Sequence, residues 1–289
     1  MTSAATTPAA TASSPLVVRT TAVDLGDPAT TRLLDLLPAD APVTWLRNGE
    51  GLVGWGVAAQ VRTSGTARFR DADKWWAETT ARAEVVDEVV EPGTGLVAFG
   101  SFGFADDPGD SVLVVPRVVL GRRGDRAWIT TVGDEAPTEV PRPAPADVPR
   151  APVGLSFADG ALNGEAWMTV VADAVSRIDA GALEKVVLAR DLIATCEEPV
   201  DVRWALHRLA TEYAMCWTFH VDGLFGATPE MLVRRERGLV TSRVLAGTIR
   251  RTGDDERDLA LAATLARSSK DLEEHEYAVR SVADALEPH

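Results

Sequence analysis

The stretch CWTFHVDGLFGATPEMLVRR, Cys216–Arg235, decides the fold class. Residues 216–221 and 224–226 are rich in β-branched and aromatic side chains and flank Asp222-Gly223. That pair suits a two-residue hairpin, whose central positions need positive φ. Pro229 removes a backbone donor and fixes φ, so the chain turns or kinks just before Glu230. A second strand pair follows, Met231–Arg235 and Leu239–Val244, turning at Arg237-Gly238. Strands joined by tight turns imply antiparallel sheet.

Outward from this core, helices alternate with further strands. Asn163 is a candidate N-cap, and Trp167, Val170, Val171, Ala174, Val175 and Ile178 recur at helical spacing until Gly181. A strand is expected over Leu183–Ile193, a helix over Val202–Tyr213, and a charged helical stretch from about Asp254 to Leu286. Before residue 134 the pattern is mostly strands, among them 52–57, 96–99, 111–115 and 127–131. One helix is expected near Asp73–Ala83, containing Trp75 and Trp76. The glycines of Gly100-Ser101-Phe102-Gly103 match no phosphate-binding motif and read as tight strand packing. Together these elements predict an α+β fold of antiparallel β-sheets with flanking helices.

Met1–Ser14 is almost entirely Ala, Thr, Ser and Pro and reads as a disordered tail, because it cannot bury enough apolar surface to offset ordering. Residues 15–289 read as a single α+β domain. Its parts are an N-terminal sheet region, 15–133, a Pro-rich connection, 134–152, and a catalytic region, 153–289. The net charge of -14 argues against a nucleic-acid or anionic-membrane partner. No secretory signal or apolar run of membrane-spanning length is present, so a cytoplasmic location is expected. Cys196 and Cys216 lack disulfide-framework or metal spacing and read as reduced thiols.

Three ionisable residues stand out. Lys185 opens an apolar run, Val186–Ala189, in which alternation sets Lys185, Val187 and Ala189 on one strand face. It either ends a buried strand at solvent or is functional. Glu230 lies between apolar strands: it is either exposed at the junction or buried, and then paired with a cation or protonated. Glu274 shares a helical face with the small residues Ala278, Ser281 and Ala285. Such a charged run suits a solvated face as well as a site. A zinc motif fails, because Val279 stands where the second histidine would be needed.

The joint pattern resembles the chorismate-binding enzymes, and most closely the isochorismate synthases of menaquinone and siderophore pathways. It is carried by Glu184–Arg190, Phe225–Leu232, Leu245-Ala246-Gly247-Thr248 and Ser269–His275, in family order and spacing. The resemblance is strong from about Trp167 to Val282 and weaker before it. It implies Mg2+-dependent conversion of chorismate to isochorismate by water addition and hydroxide loss. Lys185 matches the general base, Glu230 the general acid, and Glu274 a ligand of Mg2+, a hard cation that favours oxygen. Ala246, Gly247 and Thr248 match a substrate-contacting loop. The lysine favours water over ammonia as nucleophile, since the ammonia-using relatives typically carry glutamine there, so no glutamine amidotransferase subunit is expected. Salicylate synthases share the lysine and are the alternative.

The family continues well past the position of His289, with a second Mg2+ glutamate, carboxylate-binding groups and central strands. The resemblance therefore implies a chain truncated at the C-terminus and lacking those strands. A non-catalytic remnant is the alternative of a different class.

Overall fold

A computed structural model describes residues 15–27, 30–135, 141–245, 249–250 and 252–287, without the side chains of Ser269, Lys270, Asp271 and Glu274. The expected tail, Met1–Ser14, lies outside these residues. In chain order the first elements are β1 (Val17–Ala22), a 3-10 turn (Leu33–Leu36), β2 (Val43–Arg47), β3 (Glu50–Trp55), β4 (Ala59–Thr63), α1 (Arg68–Arg82) and β5 (Glu84–Asp87). Next come β6 (Phe99–Ser101), β7 (Ser111–Val115), β8 (Val118–Arg123), β9 (Arg126–Gly133), β10 (Ser156–Asp159), α2 (Gly164–Asp179), β11 (Leu192–Thr195) and α3 (Val202–Glu212). The remainder is β12 (Trp217–Val221), β13 (Leu224–Thr228), β14 (Met231–Glu236), β15 (Leu239–Arg243), α4 (Asp255–Arg267) and α5 (Ser269–Leu286).

The chain divides into two compact units, one made of Met1–Asp147 with Leu206–His289, the other Val148–Ala205. In the first, eight strands form a sheet in the order β13-β12-β2-β3-β8-β9-β1-β5, antiparallel except for the β1–β5 pair. A three-stranded sheet, β4-β7-β6, packs on it. Val43, Val119 and Val221 of the large sheet meet Phe99, Val112 and Val114 of the small one. Leu16, Val18 and Val132 meet Ala59 and Val115, with Trp75 and Trp76 of α1 packed against them. Two layers with alternating inward side chains account for this core, and the α+β class expected from the sequence is the one observed.

The hairpin that anchored the sequence reading forms as expected. β12 pairs antiparallel with β13, and Asp222 and Gly223 take φ of 49° and 88°, the two left-handed positions of a type I′ turn. Arg237 and Gly238 repeat the geometry between β14 and β15. Tight packing also explains Gly100, where an added Cβ would lie 2.7 Å from Leu113 Cδ2. The charged C-terminal stretch is two helices, α4 and α5, which break at Ser268, the extended C-cap of α4.

In the second unit α2 starts where expected, with Asn163 Oδ1 accepting from Ala166 N at 2.9 Å. The strand expected over Leu183–Ile193 is a correction: only Leu192–Thr195 is strand, paired with β10. Residues 183–191 are irregular. Apolar alternation gives a segment the capacity to pair, but a strand forms only beside another backbone. Among the described residues none pairs with 184–190.

Candidate active site

The expected site residues fall on different elements. Lys185 belongs to the second unit and is exposed. Its segment leaves α2 through bonds from Ala182 N and Leu183 N to Arg177 O at 2.9 and 3.3 Å. It ends where the Arg190 guanidinium pairs with Asp159 and lies against Gly164, the first residue of α2. The chain from Leu183 to Arg190 therefore runs back along the helix, antiparallel to it. Val187, which shares the strand parity of Lys185, is 83% exposed.

Glu230 and Glu274 belong to the first unit. Glu230 sits in the short connection between β13 and β14, where its N–H donates to Thr228 Oγ1 at 3.2 Å. It is exposed, and so is its neighbour Leu232, at 82%. The burial considered for Lys185 and Glu230 is not found, because the apolar residues beside each lack a covering layer. Glu274 lies on α5, and its side chain is not among those described. Ala246, Gly247 and Thr248 lie outside the described residues. No group of three His, Cys, Asp or Glu side chains among the described residues is placed to hold a metal ion.

The strand leading to Glu230 is held from beneath by a residue the sequence reading did not single out. His220, 6% exposed, has Nδ1 2.5 Å from Pro42 O and Nε2 3.3 Å from Gly223 N. A carbonyl only accepts and a backbone N–H only donates, so Nδ1 carries the proton and Nε2 accepts. Burial pushes His220 below the ordinary histidine value, against the Pro42 hydrogen bond and the Asp222 carboxylate, which push it up. Asp222 in turn pairs with Arg62 of β4 at 2.7 Å. Alternation in Trp217–Val221 sets His220 with Thr218 on the polar parity, so no sequence pattern marks it as buried.

The opposite side of β12 carries an aromatic platform. Trp45 stacks on Trp217 with ring centroids 5.2 Å apart, and the Arg47 guanidinium lies 5.6 Å above the Trp217 ring. A cleft of about 100 Å³ is lined by residues that include Arg32, Arg47, Asn48, Thr211, Cys216 and Thr218. Arg32 at its rim is engaged by Asp35 at 3.0 Å. Burial pushes Asp35 up, but the hydrogen bonds and charge of Arg32, helped by His207, outweigh it and hold the carboxyl below its usual range. This cleft contains none of the three ionisable residues singled out from the sequence.

The comparison with known proteins places these elements in a family. The model for "Chorismate binding enzyme" matches residues 15–141 and 144–289. The chain belongs to that family. Isochorismate synthase MenF of Bacillus subtilis (strain 168) is 25% identical over 265 residues, covering 81% of this chain and 56% of that protein. Isochorismate synthase DhbC of the same organism is 37% identical over 135 residues, 43% of this chain and 34% of that protein. The structure of MenF, the menaquinone-specific isochorismate synthase from Escherichia coli, matches with a TM-score of 0.67 and 21% identity. That match covers 95% of this chain and 64% of the other, and at this identity it speaks for the fold alone. The chain spans about half the length of the curated relatives it matches. Among the described residues no helix is long and apolar enough to cross a membrane.

Proposed function

We propose that this chain carries the water-activating half of an isochorismate synthase, converting chorismate to isochorismate. The observation that supports this reading most is family membership across nearly the whole described chain, with isochorismate synthases among the relatives. The residue chemistry agrees. In the proposed reaction a neutral Lys185 amine removes a proton from water, and the water oxygen bonds to a ring carbon. The double bonds shift, and the hydroxyl leaving another ring carbon takes the proton of Glu230 and departs as water. Lysine thus ends protonated and glutamate ionised, and proton return resets both. Charge is balanced and the net change is an isomerisation.

Each role sets a requirement on its surroundings. Lys185 must be desolvated or placed near a cation to be neutral, and Glu230 must be desolvated to hold its proton. Both are exposed in this chain, so the working site needs a further covering layer. Glu274 is proposed as a carboxylate ligand of Mg2+, and Ala246, Gly247 and Thr248 as substrate contacts. The described residues do not by themselves compose a magnesium site. The proposed location is the cytoplasm, with no glutamine-hydrolysing partner. The test is product analysis with chorismate and Mg2+ in H2(18)O. Isochorismate carrying one heavy oxygen supports the reading; salicylate as the end product, or isochorismate without label, refutes it.

A further inference from the structure

At Thr228-Pro229-Glu230 the chain leaves the eight-stranded sheet, at the end of β13, and enters the two-stranded sheet at β14. Glu230 is the last residue before β14, so this corner sets where its carboxyl stands. Pro229 has no N–H to give. Among the described residues the connection makes one hydrogen bond, from Glu230 N–H to Thr228 Oγ1 at 3.2 Å. Threonine forms such bonds to the backbone two residues on, and they define a turn. The flanking strands do not fix the corner for it. β14 shares no ladder with the large sheet, and its own pairing with β15 shifts register between Met231 and Arg234. Thr228 is itself well held. It pairs with Trp217 across β12 and β13, and residues directly opposite share a face with Cβ atoms about 5 Å apart. Trp217 is fixed in turn by its stack on Trp45. A β-branched side chain has few χ1 wells, and the indole beside this one narrows them further.

We propose that Thr228 is the positioning residue for Glu230: its hydroxyl fixes the backbone from which the carboxyl reaches the departing hydroxyl of the substrate. This deepens the proposed function and rests on it for every statement about rate. In that step the carbon–oxygen bond to the leaving hydroxyl breaks, and the Glu230 carboxyl proton passes to that oxygen. Glu230 is left ionised, and no bond to Thr228 forms or breaks. Proton transfer belongs to the transition state, so a misdirected carboxyl loses transition-state stabilisation and leaves substrate binding alone. The loss therefore falls on kcat and not on KM. A residue that touched substrate equally in the ground and transition states would move KM instead. What matters in Thr228 is the accepting oxygen: serine supplies it, and valine, of the same shape, does not.

The experiment compares the full chain with Thr228→Val and Thr228→Ser, assaying isochorismate formation from chorismate with Mg2+ and hydrogen exchange at the Glu230 amide. Valine is expected to lower kcat about tenfold or more, as a misplaced group does. KM should stay within about twofold of the parent in both variants. Serine, which keeps the acceptor, should hold kcat within about threefold. The Glu230 amide should exchange about fivefold faster in the valine variant, the worth of one hydrogen bond, and at the parent rate in the serine variant. The proposal is overturned if Thr228→Val keeps the parent kcat, or if it raises KM with kcat unchanged. It is equally overturned if serine is as slow as valine, which would assign the effect to shape and not to the acceptor. A parent chain that forms no isochorismate would refute the proposed function, and exchange alone would then decide the positioning. Faster exchange in valine only would uphold it, and equal exchange in all three proteins would overturn it.

Discussion

Lowering the pH should loosen the hairpin that carries Glu230, through one histidine. In the folded chain His220 is buried, its Nδ1–H given to Pro42 O and its Nε2 accepting from Gly223 N–H. A proton on Nε2 would face a second donor and break the bond that closes the β12–β13 turn, so burial and geometry both hold the folded pKa below 6.5. The unfolded chain takes its proton near pH 6.5. A group whose folded value is depressed contributes stability that is complete above the unfolded value and is lost as pH falls toward the folded one. At pH 5.5, if the folded histidine were still neutral, the loss is at most about 1.4 kcal/mol. The assay is urea unfolding followed by tryptophan fluorescence at pH 7.5 and 5.5, comparing the parent with His220→Gln. Glutamine removes the titration whatever its own cost in stability. The parent should lose more stability between the two pH values than the variant, by up to about 1.4 kcal/mol. Equal losses in both proteins would refute the assignment.

Other perturbations have equally definite outcomes. An added Cβ at Gly121 would lie 2.1 Å from the indole of Trp128, which is 1% exposed. Gly121→Ala should therefore cost about 1–3 kcal/mol by urea midpoint, as overpacking does. Removing the N-cap in Asn163→Ala should cost about 1 kcal/mol, read as faster amide exchange in the first turn of α2. Lys185→Ala should lower isochorismate formation about 10²–10⁴-fold in product assays with chorismate and Mg2+. Lys185→Arg should not restore it, because guanidinium stays protonated and cannot serve as a base.

Local rules carried much of this fold. The Asp222-Gly223 turn, the Asn163 cap and the helix containing Trp75 and Trp76 were all legible because each depends on neighbours in sequence. Gly100 was legible as packing because it matched no phosphate loop. The segment after Gly181 was misread, since its alternation announces what it can pair with rather than whether a partner is present. His220 escaped notice because its two hydrogen bonds join it to Pro42 and Gly223, and the first is a long-range contact that no local pattern encodes. The proposed site residues, Lys185, Glu230 and Glu274, rest on the family resemblance, which orders residue types along the chain without bringing them together. The burial expected around Lys185 and Glu230 is absent, because the apolar neighbours of each are open to solvent.

Lys185 is proposed to activate water for addition to chorismate. Mass analysis of the product formed from chorismate and Mg2+ in H2(18)O, for the parent and for Lys185→Ala, decides it. The parent should give isochorismate with one heavy oxygen and the variant almost none. Isochorismate without label, or equal labelled product from both proteins, would contradict it.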